Sequence, residues 1–429
     1  MSSLNRAIPP EIQEMSSFSL TKPVHITTKN SIPVWFFENS DLKLIHFALR
    51  IRAGSLFEPR KMVAHCTWHL LQESARKFSS EEVEDFLDYY GSSFSTSVNL
   101  EYVTINIIAP ERNCDKILPF IFDFILQPKF AKSNLNRFKQ KKIKDLEYEQ
   151  LKIGYRSGQL MSHALFNQDI PAGKILQRED IESITTQQLA DYHANSFCAE
   201  NVSFFVAGTL SDDNHTLLKR LLESIPKKEL LSLPILFSSD NPAGKIVFEK
   251  QEGSVQSSIR LCRKSFGYTH PDRRDFSILS TLLGGYFGSR LMQNLREIKG
   301  YTYGIYSMAS YFGDASIFYM DTDVNVQKTE DAIVQCKIEM NRLMNESVDE
   351  EELQLVKNYM MGSLLRKLDG TVDYMRSFIA WQAAELDERE ADKMASAITK
   401  ITPSRLMELA RKYLMPEDYT SVVVGEMAI

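Results

Sequence analysis

Cysteine is scarce and scattered in this chain of 429 residues. The five cysteines (Cys66, Cys114, Cys198, Cys262, Cys336) are odd in number, and no two form a CxxC pair. That excludes a disulfide framework and points to a reducing compartment. Long apolar runs are missing as well. The longest, ILPFIFDFIL from Ile117 to Leu126, carries Asp123 and falls short of the ~18 residues a membrane span needs. No charge of one sign dominates. Lys+Arg 50 against Asp+Glu 56 gives a net charge of -6, which argues against a general nucleic-acid binder. A secretory leader is not legible either: Pro9-Pro10, Glu11 and Glu14 stand where its apolar stretch would lie. Together these absences set the expectation of a cytoplasmic protein with no membrane span and no nucleic-acid partner.

What is present is an ordinary globular composition, 43% hydrophobic and 25% charged, folded over a long internal repeat. Ile184 to Gly208 reads ITTQQLADYHANSFCAENVSFFVAG. Ile401 to Gly425, 217 positions later, reads ITPSRLMELARKYLMPEDYTSVVVG. No gap is needed: Thr185 falls on Thr402, Leu189 on Leu406, Val206 on Val423 and Gly208 on Gly425. Each copy predicts a Thr-capped amphipathic helix, a polar turn and an apolar strand ending in Gly. Other segments recur in the same order. Helix Glu81 to Tyr90 stops at Gly91 before two strands, and helix Arg290 to Lys299 stops at Gly300 before strands Tyr301 to Ser310 and Ala315 to Thr322. A solenoid unit runs to roughly 20–50 residues, so this period implies two duplicated domains. The expected fold class is α+β, each domain a mostly antiparallel sheet packed with helices. The expected division is 1–223, a Pro-rich linker 224–244, and 245–429.

Two constellations carry candidate chemistry. His65 and His69, in Ala64-His65-Cys66-Thr67-Trp68-His69, stand one helical turn apart, a spacing at which two imidazoles can share a metal ion. Cys66 lies on another helical face and reads as a buried thiol. In the second half, Arg296 sits in the last turn before Gly300, and Tyr303 is expected on the strand beyond. Brought together, a guanidinium and a phenol are two donors for a carbonyl or an oxyanion. By spacing alone, Arg296 capping its own helix is the simpler reading. Gly284-Gly285-Tyr286-Phe287-Gly288 lacks the neighbours of a phosphate cradle and reads as a tight helix–helix turn. Lys139 to Lys144 (KQKKIK) reads as a solvated helix face.

These motifs and the duplicated layout resemble the pitrilysin/insulinase family of zinc peptidases (a LuxS-like metallohydrolase fold), in particular its short two-domain bacterial members and the mitochondrial processing peptidase subunits. The stretch Ser289 to Tyr303 resembles the family's Ser-Arg-Leu…Leu-Arg-Glu-x-x-Gly-x-x-Tyr signature. The resemblance implies that Arg296 and Tyr303 reach substrate at the zinc site of a first domain. It also implies an inverted His-x-x-Glu-His motif in that domain, whose Glu activates water. Here Trp68 stands in the place of that Glu, while His65 and His69 survive. The third zinc ligand of the family is a Glu some seventy-odd residues on. Asp145 stands 76 positions after His69, with Glu147 close by, so either is a candidate. The substrate-pairing strand, Asn-Ala in the family, reads Ser95-Thr96.

An indole cannot take a proton from water, and a bulky Trp68 is expected to crowd any metal-bound water. Loss of the general base alone costs ~10²–10⁴ in rate. The chain alone is therefore expected to be inactive. It requires no cofactor of its own, with a residual zinc at His65 and His69 left open and zinc expected in a partner. The family's heterodimers suggest the role: a non-zinc, substrate-binding subunit that lends Arg296 and Tyr303 to a homologous chain with an intact zinc motif, acting on peptides. The alternatives are a non-catalytic structural or binding protein on the same scaffold, and a homodimeric peptidase with an altered metal site.

Overall fold

The computed structural model describes residues 20–229, 234–237 and 242–426. Residues 1–19, and residues 230–233 and 238–241 of the expected linker, lie outside them. In the first half, strands β1 (Val24–Thr27), β2 (Pro33–Phe37), β3 (Leu44–Ile51), β4 (Ser93–Val98), β5 (Val103–Pro110) and β6 (Val202–Ala207) pair in the order β1-β2-β6-β3-β5-β4. In the second half, β7 (Ile246–Lys250), β8 (Gln256–Phe266), β9 (Ile305–Phe312), β10 (Ala315–Asn325) and β11 (Thr420–Gly425) pair as β7-β11-β8-β10-β9. The second order is the first with β1 removed. Even the parallel pair recurs, β2 with β6 and β7 with β11, while the other pairings are antiparallel. The fold is α+β, duplicated.

Helices of the first half are α1 (Val63–His69), α2 (Ser80–Tyr89), α3 (Cys114–Leu126), α4 (Lys132–Glu149), α5 (Ile153–Leu165), α6 (Arg178–Glu182), α7 (Thr186–Ser196) and α8 (Asp212–Glu223). Those of the second are α9 (Arg273–Ser280), α10 (Thr329–Asn345), α11 (Glu350–Arg366), α12 (Thr371–Ala383), α13 (Glu390–Lys400) and α14 (Pro403–Tyr413). The repeated Thr caps are real. Thr185 Oγ1 accepts the Gln188 N–H at 3.2 Å, and Thr402 Oγ1 accepts that of Arg405 at 3.3 Å. Gly208 and Gly425, which close the matched strands, both sit at positive φ (118° and 144°).

Strand alternation sorts side chains between two faces. In β3, Ile45, Phe47, Leu49 and Ile51 enter the core beneath the first half's own helices, whereas Ala48 joins a separate cluster on the opposite face. In β6, Phe204 and Val206 enter the first core, Phe205 and Ala207 the second cluster. That opposite face is covered by α12, from the other half of the chain, through Tyr374, Met375 and Phe378. The reciprocal holds. Helix α5 lays Leu160, Met161 and Leu165 against Cys262, Val422 and Val424 of the second sheet. Arg260 fixes this contact, donating to Ser157 Oγ and Gly154 O, both at 3.0 Å, and pairing with Asp321 at 3.1 Å. Helix α12 begins 218 positions after α5. Equivalent helices are thus exchanged between the halves. At β6 and β11 both faces of the sheet are covered, which is why every residue of these two mostly apolar strands is buried.

Three local expectations are corrected. Strand β9 begins at Ile305, so Tyr303 lies in the loop before it, not on a strand. The helix expected over Arg290 to Lys299 is a π-helix, Met292–Ile298, in which the Lys299 N–H reaches the Asn294 carbonyl at 3.0 Å. Of the helix–helix turn expected over Gly284 to Gly288, Gly284-Gly285 instead ends a π-helical turn, Thr281–Gly285, that continues α9, and the turn between helices begins at Tyr286.

Candidate functional site

Helix α1 is buried on nearly every side: Val63, Ala64, Cys66, Thr67 and Trp68 are all inaccessible. Its N-terminal residue Met62 adopts a left-handed conformation (φ 73°) and gives no side-chain cap. The carboxyl of buried Glu58 supplies one by accepting the Ala64 N–H at 3.0 Å. Burial pushes the Glu58 carboxyl up to about 8, against the opposing pull of its backbone donors.

His65 and His69 remain half-buried, their rings 4.0 Å apart and edge to face. His69 Nδ1 meets Thr96 Oγ1 at 3.0 Å, which ties α1 to strand β4, the edge of the first sheet. Ser95, its neighbour, is exposed. His65 Nε2 is buried with no partner among the described residues. Burial, then the neighbouring His69 and Lys142, lower the His65 imidazole to about 3. His69 is lowered by burial and by Lys142. Both rings are therefore neutral at neutral pH. Cys66 is fully buried, its thiol pushed up to about 12 by burial, as an inert apolar residue would be.

Trp68 does not crowd the histidine pair. It is fully buried and turned toward α7, its ring 5.4 Å from that of His193 and 6.3 Å from that of Phe197. The residue in the place of a catalytic Glu has become part of the hydrophobic core.

The third-ligand expectation also changes. Asp145 lies 3.8 Å from Lys142, Glu147 pairs with Arg178 at 3.0 Å, and both carboxylates are about half exposed. The face of α4 turned to the histidines carries Phe138, 6.1 Å and 6.5 Å from the two rings, and Lys142. Among the described residues, no group of three or more His, Cys, Asp or Glu is placed to hold a metal ion. Two neutral imidazoles beside an ammonium do not fit a zinc site, which needs three protein ligands and a negative or neutral surround. Lys142 and Glu58 are the residues sequence reasoning passed over. Lys142 shares a helix face with Phe138, four positions earlier; within a basic run, it reads as one solvated lysine among several.

Arg296 and Tyr303 belong to the second half of the chain. Arg296, in the π-helix, pairs with Glu297 and stacks over the Phe287 ring at 4.4 Å. Gly300 ends the segment at φ 64°, as its position suggested. Tyr303 is 94% exposed. Among the described residues, no hydrogen bond, ion pair or ring contact joins either one to His65 or His69. Instead, His65 opens onto a cavity of about 400 Å³ whose far wall is Phe312, Ile317 and Tyr319 of the second sheet. Exposed Phe287, Ile298, Tyr306 and Met308 surround the Arg296 and Tyr303 region in sequence, an apolar stretch unusual for a free surface.

Comparison with known proteins agrees with this layout. The profile described as insulinase (peptidase family M16) matches residues 38–171, and that described as peptidase M16 inactive domain matches residues 183–360. A Bacillus subtilis protein described as an uncharacterized zinc protease, YmxG, is 23% identical over 93% of this chain and 97% of its own length. A Helicobacter pylori protein described as non-peptidase homolog YmxG is 23% identical over 77% of each. Among solved structures, a Pseudomonas fluorescens peptidase M16 inactive domain superposes with a TM-score of 0.86 at 20% identity, covering 95% of this chain and 99% of that one. A Helicobacter pylori protease gives 0.84 at 18% identity, over 95% of this chain and 100% of that one. With two matching profiles that span both sequence copies, the chain belongs to the insulinase family, peptidase family M16.

Proposed function

We propose that this chain is the non-zinc subunit of a heterodimeric M16 peptidase acting on peptides. A homologous chain with an intact His-x-x-Glu-His motif supplies the zinc and the general base. Arg296 and Tyr303 reach across to hydrogen-bond the carbonyls of an extended substrate or its developing oxyanion. The edge strand β4, with Ser95 and Thr96, offers backbone for pairing with that substrate. One observation carries the reading. Arg296 and Tyr303 are retained, Arg296 half-buried and Tyr303 exposed, while the histidine pair in the same chain lacks the Glu of its motif and, among the described residues, a third ligand. A chain with no catalytic role has no need of such a pair. Five buried, unpaired cysteines suit a cytoplasmic setting.

The test is reconstitution. The chain is mixed with a homologue from the same cell that carries the intact motif, and cleavage of an unstructured peptide is followed. The expected result is chelator-sensitive activity from the pair only, reduced at least ~100-fold by Arg296→Ala. Chelator-sensitive cleavage by this chain alone, or an unaffected Arg296→Ala pair, overturns the reading. The other reading, a binding protein without peptidase function, is favoured by the description of the Helicobacter relative as a non-peptidase homolog. It predicts that no homologue confers activity on the mixture.

A further inference from the structure

A pocket of about 390 Å³ lies inside the second half, enclosed by α9 with its π-helical continuation, α11, α12 and α13. Its apolar wall is Met360 and Leu364 of α11, Trp381 of α12, and Met394 and Ile398 of α13. Ile398 is buried. The other four are only half-buried, although each packs against the second core or the cluster under α12. Helices packed to ordinary interior density leave no such space. The π-helical turn contributes Thr281 and Gly285 to the lining, and widened turns of this kind recur at functional sites.

Three charged side chains line the pocket: Arg273, Lys367 and Glu390. Glu390 is 3% exposed, and its oxygens are already taken. Arg274 grips both of them, Nε meeting Oε1 at 3.0 Å and Nη2 meeting Oε2. Arg273 Nη2 is a further donor to Oε1. The Arg273 side chain is only 12% exposed, and among the described residues its Nε and Nη1 have no partner. Lys367 is exposed at the rim and makes no ion pair among the described residues. The lining therefore holds two cations against one acid whose lone pairs are engaged. A nearly buried guanidinium with donors to spare is costly unless an anion meets it.

We infer that this pocket binds a monocarboxylic acid with an apolar tail, of the medium-chain fatty acid class. The carboxylate meets Arg273, and the tail lies among Met360, Leu364, Trp381 and Met394. A planar carboxylate matches the guanidinium fork. Thioether side chains adapt to an unbranched chain. The volume falls within the roughly 300–1,000 Å³ of small-molecule sites, where a few polar groups orient a ligand in apolar surroundings. Arg273 and Trp381 also line the groove of about 860 Å³ between the two halves, so they form the partition between it and this pocket. The inference does not rest on the subunit reading: none of His65, His69, Arg296 and Tyr303 lines the pocket.

The probes are decanoate and decanol, which share a tail and differ in the head group. Binding to the full chain is measured by titration calorimetry. Decanoate is expected to bind about 10-fold or more tightly than decanol, and to raise the melting temperature, because it braces α12 from behind. Equal affinity of the two, or no binding of decanoate at 1 mM (about the weakest affinity that counts as specific), overturns the inference. Arg273→Met should erase the preference for the acid. Glu390 keeps both bonds from Arg274 in that variant, so the fold is expected to survive; a preference that persists in the folded variant overturns the inference. Ser363→Trp, from α11, fills the pocket without touching the groove between the halves. It should abolish decanoate binding, and undiminished binding by the folded variant places the acid elsewhere and overturns the inference.

Discussion

At the scale of single residues, the decisive change is one of charge. The charge of the Lys142 ammonium acts on both imidazoles and lowers them, at a pair of rings that would otherwise suit a cation. Lys142→Glu should turn that repulsion into attraction for a cation, raising zinc content by metal analysis above that of the unaltered chain, toward one ion per chain. Failure to take up zinc would mean that the helices are also misplaced. Trp68→Glu should not restore activity, because the indole fills the core rather than the site. It should cost on the order of 3–5 kcal/mol in denaturant unfolding, with a buried carboxylate left unpaired. Glu58 makes a pH prediction. Its folded value is raised from 4.5 to about 8, so between those limits the unfolded chain releases a proton that the folded chain keeps. Stability from this group therefore falls as pH rises through that window. Glu58→Gln removes the penalty and still accepts the Ala64 N–H. Its melting temperature should match wild type near pH 4.5 and exceed it at pH 8; a difference that does not grow with pH contradicts the assignment.

At the scale of elements, the π-helical turn Thr281–Gly285 shows what sequence could and could not convey. The glycines mark a special backbone, but a turn between helices and a widened helical turn call for the same residues. The deciding contact comes from β9, twenty-odd positions downstream. A Cβ at Gly284 would lie 2.7 Å from the backbone nitrogen of Ser307, so only glycine lets the turn approach that strand. Gly284→Ala should cost about 1–3 kcal/mol in denaturant unfolding. The same logic explains the rest. The Thr caps, the strand-ending Gly208 and Gly425 and the order of elements are local signals, legible from spacing. The partners of Trp68, Asp145 and Lys142 depend on how α1, α4 and α7 pack, which no local pattern carries. Arg296 was legible only as a motif; its stacking on Phe287 required the assembled chain.

For the molecule as a whole, the exchange of α5 and α12 governs stability. Residues 20–229 expressed alone would keep the first sheet and lose the helix that covers Phe37, Ala48, Phe205 and Ala207. That fragment should bind a hydrophobic dye and melt without a sharp transition. Co-expressed with residues 242–426, it should co-purify one to one and regain a cooperative transition. A fragment that melts sharply as a monomer would show that the covering helix is dispensable. The exchange has one more consequence. A polypeptide of half this length could hide its outer sheet face only by meeting a copy of itself and trading helices around a two-fold axis. This chain therefore carries the architecture of a symmetric dimer inside one covalent strand. The closing encounter is set by the length of the connecting segment rather than by how much protein is in solution. Its melting temperature should thus stay the same on dilution, which an assembly of separate halves would not manage.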